Sequence, residues 1–378
     1  MHLQQSLARV GLLPNRGESF RGSITVRFSA RATVLVLKVP RSFSRCFGVV
    51  GTQKQAEVYR LVVVSPVYDD AASAQQLLKD LQRVFAGSDV QLRILFVDDG
   101  SPVPLTYQLH AEAGNSLPLE ILRLRRNVGH QRAIALGTAY VHENFTCDGM
   151  LVMDADGEDR AEDAVSLVAR CREQDNDRII FAERTRRSES CLFQLFYRSY
   201  QLLHWLLTGV RVRVGNFSVV PALHLPALVT LPALWNHYAA AVFQARLPRD
   251  LVPTRRGARY SGNSKMNFVS LVIHGLQALS VFIEVVAVRL LIAMFIFAGF
   301  CAALVLAASI VQLHLGLAIG LFVLALALAL GCFCLTLGFL NQRNNLDFIP
   351  VRDYKFFVEG LYTLSTSDER THVCGWRT

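Results

Sequence analysis

Asp154-Ala155-Asp156 places two carboxylates two residues apart at the end of the apolar run GMLVMDADG (149–157). Carboxylates so spaced can share one hard cation. A divalent ion held there offsets the charge of a diphosphate leaving group. Pairs of this kind also occur as solvated loop acids, and the buried strand before this one sets it apart. Glu158 offers a third oxygen ligand, whereas Asp159, Glu162 and Asp163 read as acids at a helix N-terminus. Asp98-Asp99-Gly100-Ser101 closes a second apolar run, LRILFVDDGS (92–101). Its carboxylates can accept hydrogen bonds from a ribose or base, or simply cap a turn. The matching cations lie in TRRGARYSGNSK (254–265), a Gly- and Ser-containing stretch able to fold over phosphates with Arg259 and Lys265. Arg255 and Arg256 read as surface charge. Arg198 sits in an aromatic amphipathic segment, where an Arg either meets a phosphate or reaches out to lipid head groups. His130 reads either as a donor contact or as a structural helix-start residue.

These residues need elements that bring them together. VYRLVVVSPVY (58–68), 92–101, LEILRLRRN (119–127), 149–157 and RIIFAER (178–184) read as buried strands, being apolar, β-branched and short. Helical spacing marks 69–85, with Asp69 or Asp70 as the cap, then 129–143 and 162–173. Strands alternating with helices predict a mostly parallel α/β sheet. Ligands bind such sheets outside the carboxyl ends of the strands. Pro66 to Asp70, Asp98 to Ser101 and Asp154 to Glu158 all fall there.

The chain has 378 residues, of which 52% are hydrophobic and 18% charged. That excludes a mainly disordered protein. Residues 290–313 and 315–340 carry no charge. At about 1.5 Å per residue they reach about 36 and 39 Å, enough to cross a hydrocarbon core with some tilt. The expectation is a two-helix transmembrane hairpin over 289–341, with its turn near His314 to Gly316. Segments 192–207 and 266–284 are amphipathic and read as interfacial or as ordinary buried helix. Arg289 and Arg343 flank the open end of the hairpin and predict that it faces the cytoplasm.

Of the net charge of +9, residues 1–57 hold +7, from nine Lys or Arg and two Glu. No nucleic-acid-binding module accompanies that charge, and no nucleic-acid partner is expected. The segment has the composition of a transit peptide, a lipid-facing arm or a poorly ordered extension. The eight cysteines form no CxxC pair and no zinc spacing, and read as unpaired residues of a reducing compartment. No GxGxxG follows the first strand, which removes the dinucleotide-dependent oxidoreductases.

SPVYDD, VDDGS, RRNVGHQRAIALG, MDADGED and RYSGNSK occur in that order before an apolar hairpin. The set resembles family 2 glycosyltransferases of the GT-A fold. Within them it is similar to polyprenyl-phosphate glycosyltransferases such as the bactoprenol glucosyltransferases and dolichol-phosphate mannose synthase. The likeness covers about residues 58–345. It implies a GT-A mixed sheet flanked by helices over 58–265, a juxtamembrane helix over 266–288, the hairpin, and a cytoplasmic tail over 342–378. It implies that Pro66, Tyr68 and Asp70 meet the nucleobase, that Asp98 and Asp99 hold the nucleoside, and that Asn127 and Gly129 turn beside the donor. Asp154, Asp156 and Glu158 would hold Mg²⁺ or Mn²⁺ against the diphosphate, with Asp156 also counted among the catalytic groups. Arg184, Arg198 and Lys265 would face the acceptor phosphate, and Arg259 and Ser264 would close over the donor. The sequence departs from the family pattern at the acidic DADGEDRAED string, at Gly215-Asn216-Phe217, and at Ala239-Ala240, where an Arg-Gly pair is usual.

The implied reaction moves a sugar from a nucleotide-sugar, expected to be UDP-linked, to a polyprenyl phosphate with inversion. The implied location is the cytoplasmic face of a bacterial inner membrane, among lipid, with homo-oligomers a further expectation. A phosphate monoester with a second pKa of about 6 is largely dianionic at pH 7 and needs no strong base. Two other readings stand beside this one. A polysaccharide synthase would bring a QxxRW motif, which is absent. A catalytically silent membrane scaffold that keeps only nucleotide binding would fit the departures at Asn216, Ala239 and Ala240.

Overall fold

The computed structural model describes residues 58–109, 117–184, 191–211, 214–261, 268–310, 315–345, 348–364 and 373–374. The expected basic extension over 1–57 lies outside them, as do Ser264 and Lys265.

The strands are β1 (Tyr59–Val67), β2 (Val90–Asp98), β3 (Leu119–Leu124), β4 (Gly149–Val152), β5 (Ile179–Arg184), β6 (Val214–Pro221), β7 (Arg249–Thr254), β8 (Val358–Leu364) and β9 (Val373–Cys374). The α-helices are α1 (Ala71–Phe85), α2 (Leu105–Leu109), α3 (His130–Asn144), α4 (Ala161–Glu173), α5 (Cys191–Thr208), α6 (Leu225–Val229), α7 (Tyr238–Gln244), α8 (Phe268–Ser280), α9 (Ile283–Ile310), α10 (Leu315–Asn345) and α11 (Pro350–Asp353). The strands form one mixed sheet in the order β7-β5-β6-β4-β1-β2-β3-β8-β9. β1 runs parallel to both β2 and β4, whereas β6 and β8 are antiparallel to their neighbours. This is the mixed α/β sheet with flanking helices that the resemblance implies; four of its eight pairings are antiparallel, so it is less parallel than the alternation of strands and helices predicts.

Each face of the sheet is covered. Leu77, Leu78 and Leu81 of α1 and Leu167 of α4 pack on one side with Leu61, Val63 and Phe96. Ile134, Leu136 and Tyr140 of α3 pack on the other with Val62, Val64 and Val97. The strands alternate these residues between faces, as period-two side-chain geometry requires. Pro66 is buried in β1, opposite Val97 of β2. The β4 pairing stops at Val64, so the amide that proline lacks has no ladder partner to lose there.

The order places a topological switch between β1 and β4. From β1 the chain proceeds through β2 and β3 to one side, then returns to lay β4 on the other. A crevice therefore opens at the carboxyl ends of β1 and β4.

Three regions differ from expectation. The segment expected as a plain tail after residue 341 returns to the sheet, where β8 pairs antiparallel with β3 from Leu119↔Leu364 to Leu124↔Val358. Tyr354 and Val358 are buried beneath it. The expected 266–284 helix breaks after Ser280, and the chain bends by 92° into the next helix. Among the described residues one helix, Ile319–Gly338, is long and apolar enough to cross a membrane; there are two if Val272–Ser280 and Ile283–Phe297 form one broken span. The expected two-helix hairpin is therefore not confirmed; of its expected turn, His314 lies outside the described residues, and Leu315 and Gly316 already belong to α10.

Candidate active site

The loop after β4 carries Asp154 and Asp156 into the crevice. The backbone N–H of Asp154 donates to Asp159 Oδ2 at 3.0 Å, and that of Glu158 donates to Asp156 Oδ1 at 2.9 Å. Burial raises the Asp156 pKa, and the neighbouring Asp154 charge raises it further. Two half-buried carboxylates that repel each other form a ready seat for a cation. Among the described residues no three His, Cys, Asp or Glu side chains are placed to hold a metal by themselves. The pair still fits Mg²⁺ or Mn²⁺ chemistry, because such ions are commonly held by one or two carboxylates with substrate phosphate oxygens completing the shell.

A second loop lies against the first. Gly257 N–H donates to the Glu158 carbonyl and Tyr260 N–H to the Asp156 carbonyl, both at 2.9 Å. The loops cross so closely that a Cβ at Gly157, whose φ is +88°, would stand 2.9 Å from the Ala258 carbonyl oxygen and from the Tyr260 ring. This crossing delivers two cations. Arg259 Nη2 lies 2.7 Å from Asp156 Oδ2, and its Nε donates to Glu158 Oε1 at 2.9 Å. Arg256 Nη2 lies 2.6 Å from the same Glu158 oxygen. Burial works to raise the Glu158 pKa, but Arg256 and Arg259 outweigh it and hold the carboxyl below its usual range. Arg256, expected as surface charge, is thus part of the site. In this arrangement Glu158, expected as a third metal ligand, faces guanidinium groups.

The two acids after β2 are placed differently from an expectation that both hold the nucleoside. Asp98 is fully buried and accepts from the N–H groups of Ser101 (2.9 Å) and Leu105 (3.1 Å) and from Arg123 Nη1 (3.3 Å). Asp99 accepts from the N–H groups of Val128 (2.7 Å) and Gly129 (3.0 Å). Burial pushes its pKa up to about 6. These carboxylates tie the loop after β2 to the start of α2 and to the loop before α3. Asn127 is exposed on that tied loop, and Gly129 caps α3.

The same tether sets His130 at the head of α3, where its Nε2 lies 3.1 Å from Asp154 Oδ1. Burial opposes a charge on this ring, but the Asp154, Asp159 and Asp156 carboxylates outweigh it and raise its pKa. Asn216 Nδ2 of β6 lies 3.0 Å from the same nitrogen, and Asn216 Oδ1 accepts from Gln131 Nε2 at 3.1 Å. Gln131 Oε1 in turn accepts from the Tyr238 N–H at 2.7 Å. A polar chain thus runs from α7 to Asp154. Ala239 and Ala240 are fully buried within α7. The sequence singles out Asn216 only as a departure and leaves Gln131 unmarked. The apolar period of α3 includes no cue that Gln131 turns inward.

At the end of β1, Tyr68 is 43% exposed. Asp70 Oδ1 caps α1 by accepting from Ser73 N–H, and it also accepts from Ser261 Oγ, both at 3.3 Å. Asp70 thereby joins the first loop to the Arg259 loop. Arg184 ends β5 opposite Thr254 of β7. Arg198 is exposed on α5. The structure therefore brings together Tyr68, Asp70, Asn127, Gly129, Asp154, Asp156, Glu158 and Arg259 around the carboxyl ends of β1 to β4, and among the described residues no hydrogen bond or ion pair joins Arg198 to them.

Comparison with known proteins finds a family match over part of the chain. Residues 62–218 match the family described as Glycosyl transferase family 2. The matched stretch runs from within β1 to within β6 and holds every acidic site residue named above. Among curated proteins, the chain is 24% identical over 213 residues to the uncharacterized glycosyltransferase sll0501 of Synechocystis sp., covering 56% of this chain and 65% of that protein. It is 28% identical over 168 residues to the uncharacterized glycosyltransferase YkcC of Bacillus subtilis, covering 42% and 48%. The chain thus spans less than two thirds of the length of these relatives. Among solved structures it is similar to mannosyl-3-phosphoglycerate synthase from Rubrobacter xylanophilus, with a TM-score of 0.44 and 15% identity over 61% of this chain and 74% of that one. It is similar also to glucosyl-3-phosphoglycerate synthase from Mycobacterium tuberculosis, solved with Mn²⁺ and uridine diphosphate, with a TM-score of 0.44 and 13% identity over 61% and 80%.

Proposed function

We propose that this protein is a membrane-held glycosyltransferase of the GT-A type. It moves a sugar from a nucleotide-sugar, UDP-linked in our reading, to a polyprenyl phosphate at the cytoplasmic face. The observation that carries the reading is the meeting of Asp154 and Asp156 with Arg256 and Arg259 at the switch point of a family 2 domain. The apolar helix Ile319–Gly338 and the bent pair before it support the membrane placement and, with it, a lipid acceptor.

Each group has a task in this reading. Tyr68 and Asp70 border the base, and Asp98 and Asp99 fix the two loops that flank the donor. A divalent ion on Asp154 and Asp156 would offset the charge of the leaving diphosphate. Arg259 turns from Asp156 to the phosphates, while Arg256 keeps Glu158 and the loop in place. Arg184, Arg198, Ser264 and Lys265 remain proposed contacts for the acceptor and the closing loop. An oxygen of the acceptor phosphate attacks the anomeric carbon. The new C–O bond forms as the bond to the nucleoside diphosphate breaks, and the diphosphate leaves with the electron pair on the opposite side. The configuration inverts, and no proton need be removed from a dianionic acceptor.

The test is sugar transfer by the full chain in detergent, with undecaprenyl phosphate and radiolabelled UDP- and GDP-sugars, with and without Mg²⁺ or Mn²⁺. A labelled lipid that disappears with chelator and with Asp156→Ala supports the proposal. Nucleotide binding without transfer from any donor would overturn it in favour of a silent scaffold.

A further inference from the structure

On the sheet face that carries α7, at the β7 edge, three arginines surround a cavity of about 480 Å³. Arg246 and Arg249 follow α7, and Arg211 follows α5. Among the described residues no carboxylate pairs with any of the three. Asp250, on the same wall, is already held by Arg170, with N···O distances of 3.0 and 2.8 Å. Among the described residues, then, the three cations of this cavity have no acidic partner.

Two of these cations are held over aromatic faces. The Arg249 guanidinium carbon lies 4.0 Å from the Phe243 ring centre, and that of Arg211 lies 5.4 Å from Trp205. Stacking of this kind fixes a guanidinium plane and leaves its edge donors to face a phosphate, apart from Arg249 Nη1, which donates to the Leu247 carbonyl at 3.3 Å. Burial lowers the Arg249 pKa with no acid to oppose it, the condition an anionic ligand would relieve. Arg246 has φ of +55°, a left-handed backbone at the helix end where glycine is the usual choice.

The surroundings indicate where the anion comes from. Leu202, Leu203, Trp205 and Leu206 are 40–56% exposed on α5. Arg289, near the start of α9, donates from Nη1 to the Leu206 carbonyl at 2.8 Å, which joins the end of α5 to the apolar helices. Exposed leucines beside a tryptophan, with arginines next to them, suit the boundary between lipid tails and head groups.

We propose that Arg211, Arg246 and Arg249 form a binding site for a phosphate group, supplied by the head group of an anionic phospholipid, apart from the carboxylate site at the strand ends. The source of the phosphate rests on the membrane placement proposed above. The site would orient the domain on a negatively charged leaflet.

The full chain, purified in detergent, is titrated with phosphatidylglycerol, phosphatidylcholine or inorganic phosphate and read by native mass spectrometry. Phosphatidylglycerol should bind in preference to phosphatidylcholine. The triple variant R211Q/R246Q/R249Q should lose about tenfold or more of that affinity, with phosphatidylcholine binding unchanged. If the triple variant does not fold, as judged by circular dichroism, the exposed single variant R246Q should still lower the affinity. Equal affinity for phosphatidylglycerol in wild type and variant overturns the site. Saturation by inorganic phosphate without any lipid preference overturns the lipid source. A flotation assay separates the two readings: failure of the wild type to float with vesicles overturns the membrane placement, whereas flotation with unchanged lipid affinity in the variant overturns this site alone.

Discussion

Replacing Arg259 with glutamine should tighten divalent metal binding in the absence of nucleotide. The guanidinium stands 2.7 Å from Asp156 Oδ2 and 2.9 Å from Glu158 Oε1, the place a cation would claim. Two unit charges about 4 Å apart interact by about 4 kcal/mol at an effective dielectric near 20. The Arg259 and Asp156 side chains are 28% and 20% exposed, so screening and desolvation reduce the net competition to about 1–2 kcal/mol. About 1.4 kcal/mol corresponds to tenfold in affinity. The loop should survive the change, because Gly257 and Tyr260 keep their backbone hydrogen bonds and Arg256 keeps Glu158. Titration of the full chain with Mn²⁺, followed by electron paramagnetic resonance, should show binding about tenfold tighter in R259Q. UDP binding at saturating Mn²⁺ should weaken in the same variant, since Arg259 is the group that would meet the phosphates. Mn²⁺ affinity that stays equal or falls would refute the idea that Arg259 and the metal compete for Asp156.

Two further predictions concern the loops behind the metal pair. Gly100→Ala forces an L-residue to φ of +68° and sets its Cβ 2.5 Å from the Arg126 carbonyl carbon and 2.6 Å from the Asn127 nitrogen. The left-handed backbone and the backbone overlap together should cost about 2–5 kcal/mol; a loss under about 1 kcal/mol in denaturant unfolding would mean that the two loops are not pinned together. Asp99→Asn tests the buried acid. The Asp99 pKa is raised by burial to about 6 in the folded chain, above its ordinary value of 3.8, so its stabilising contribution is full below about pH 4 and is lost as pH rises through 6. The variant removes one of two acceptors and should be less stable than wild type at pH 4, with the gap narrowing toward pH 7; a gap that widens over that range would reverse the assigned cause.

How far the site was legible depends on which forces place each residue. β1, β2 and β4 announce themselves as apolar runs that end in acids, because a strand buried on both faces has no polar alternation to hide it. Their carboxyl ends then had to meet once the sheet was parallel, and Tyr68, Asp70, Asp154 and Asp156 followed. β8 was not legible, because its pairing with β3 joins residues more than two hundred positions apart across the apolar helices. No local pattern in VEGLYTL points to that partner. The same limit applies within the site. Asp98 and Asp99 declare their charge in the sequence, but the amides of Ser101, Leu105, Val128 and Gly129 that take up their oxygens belong to every residue type alike. Only the backbone path determines which carboxylates are consumed by tethering and which remain for a ligand. The Asp154 and Asp156 side chains face cations and a histidine instead, groups that a metal or a phosphate can replace or recruit. That difference in partners, more than the motif itself, separates the acids that build this crevice from the acids that would work in it.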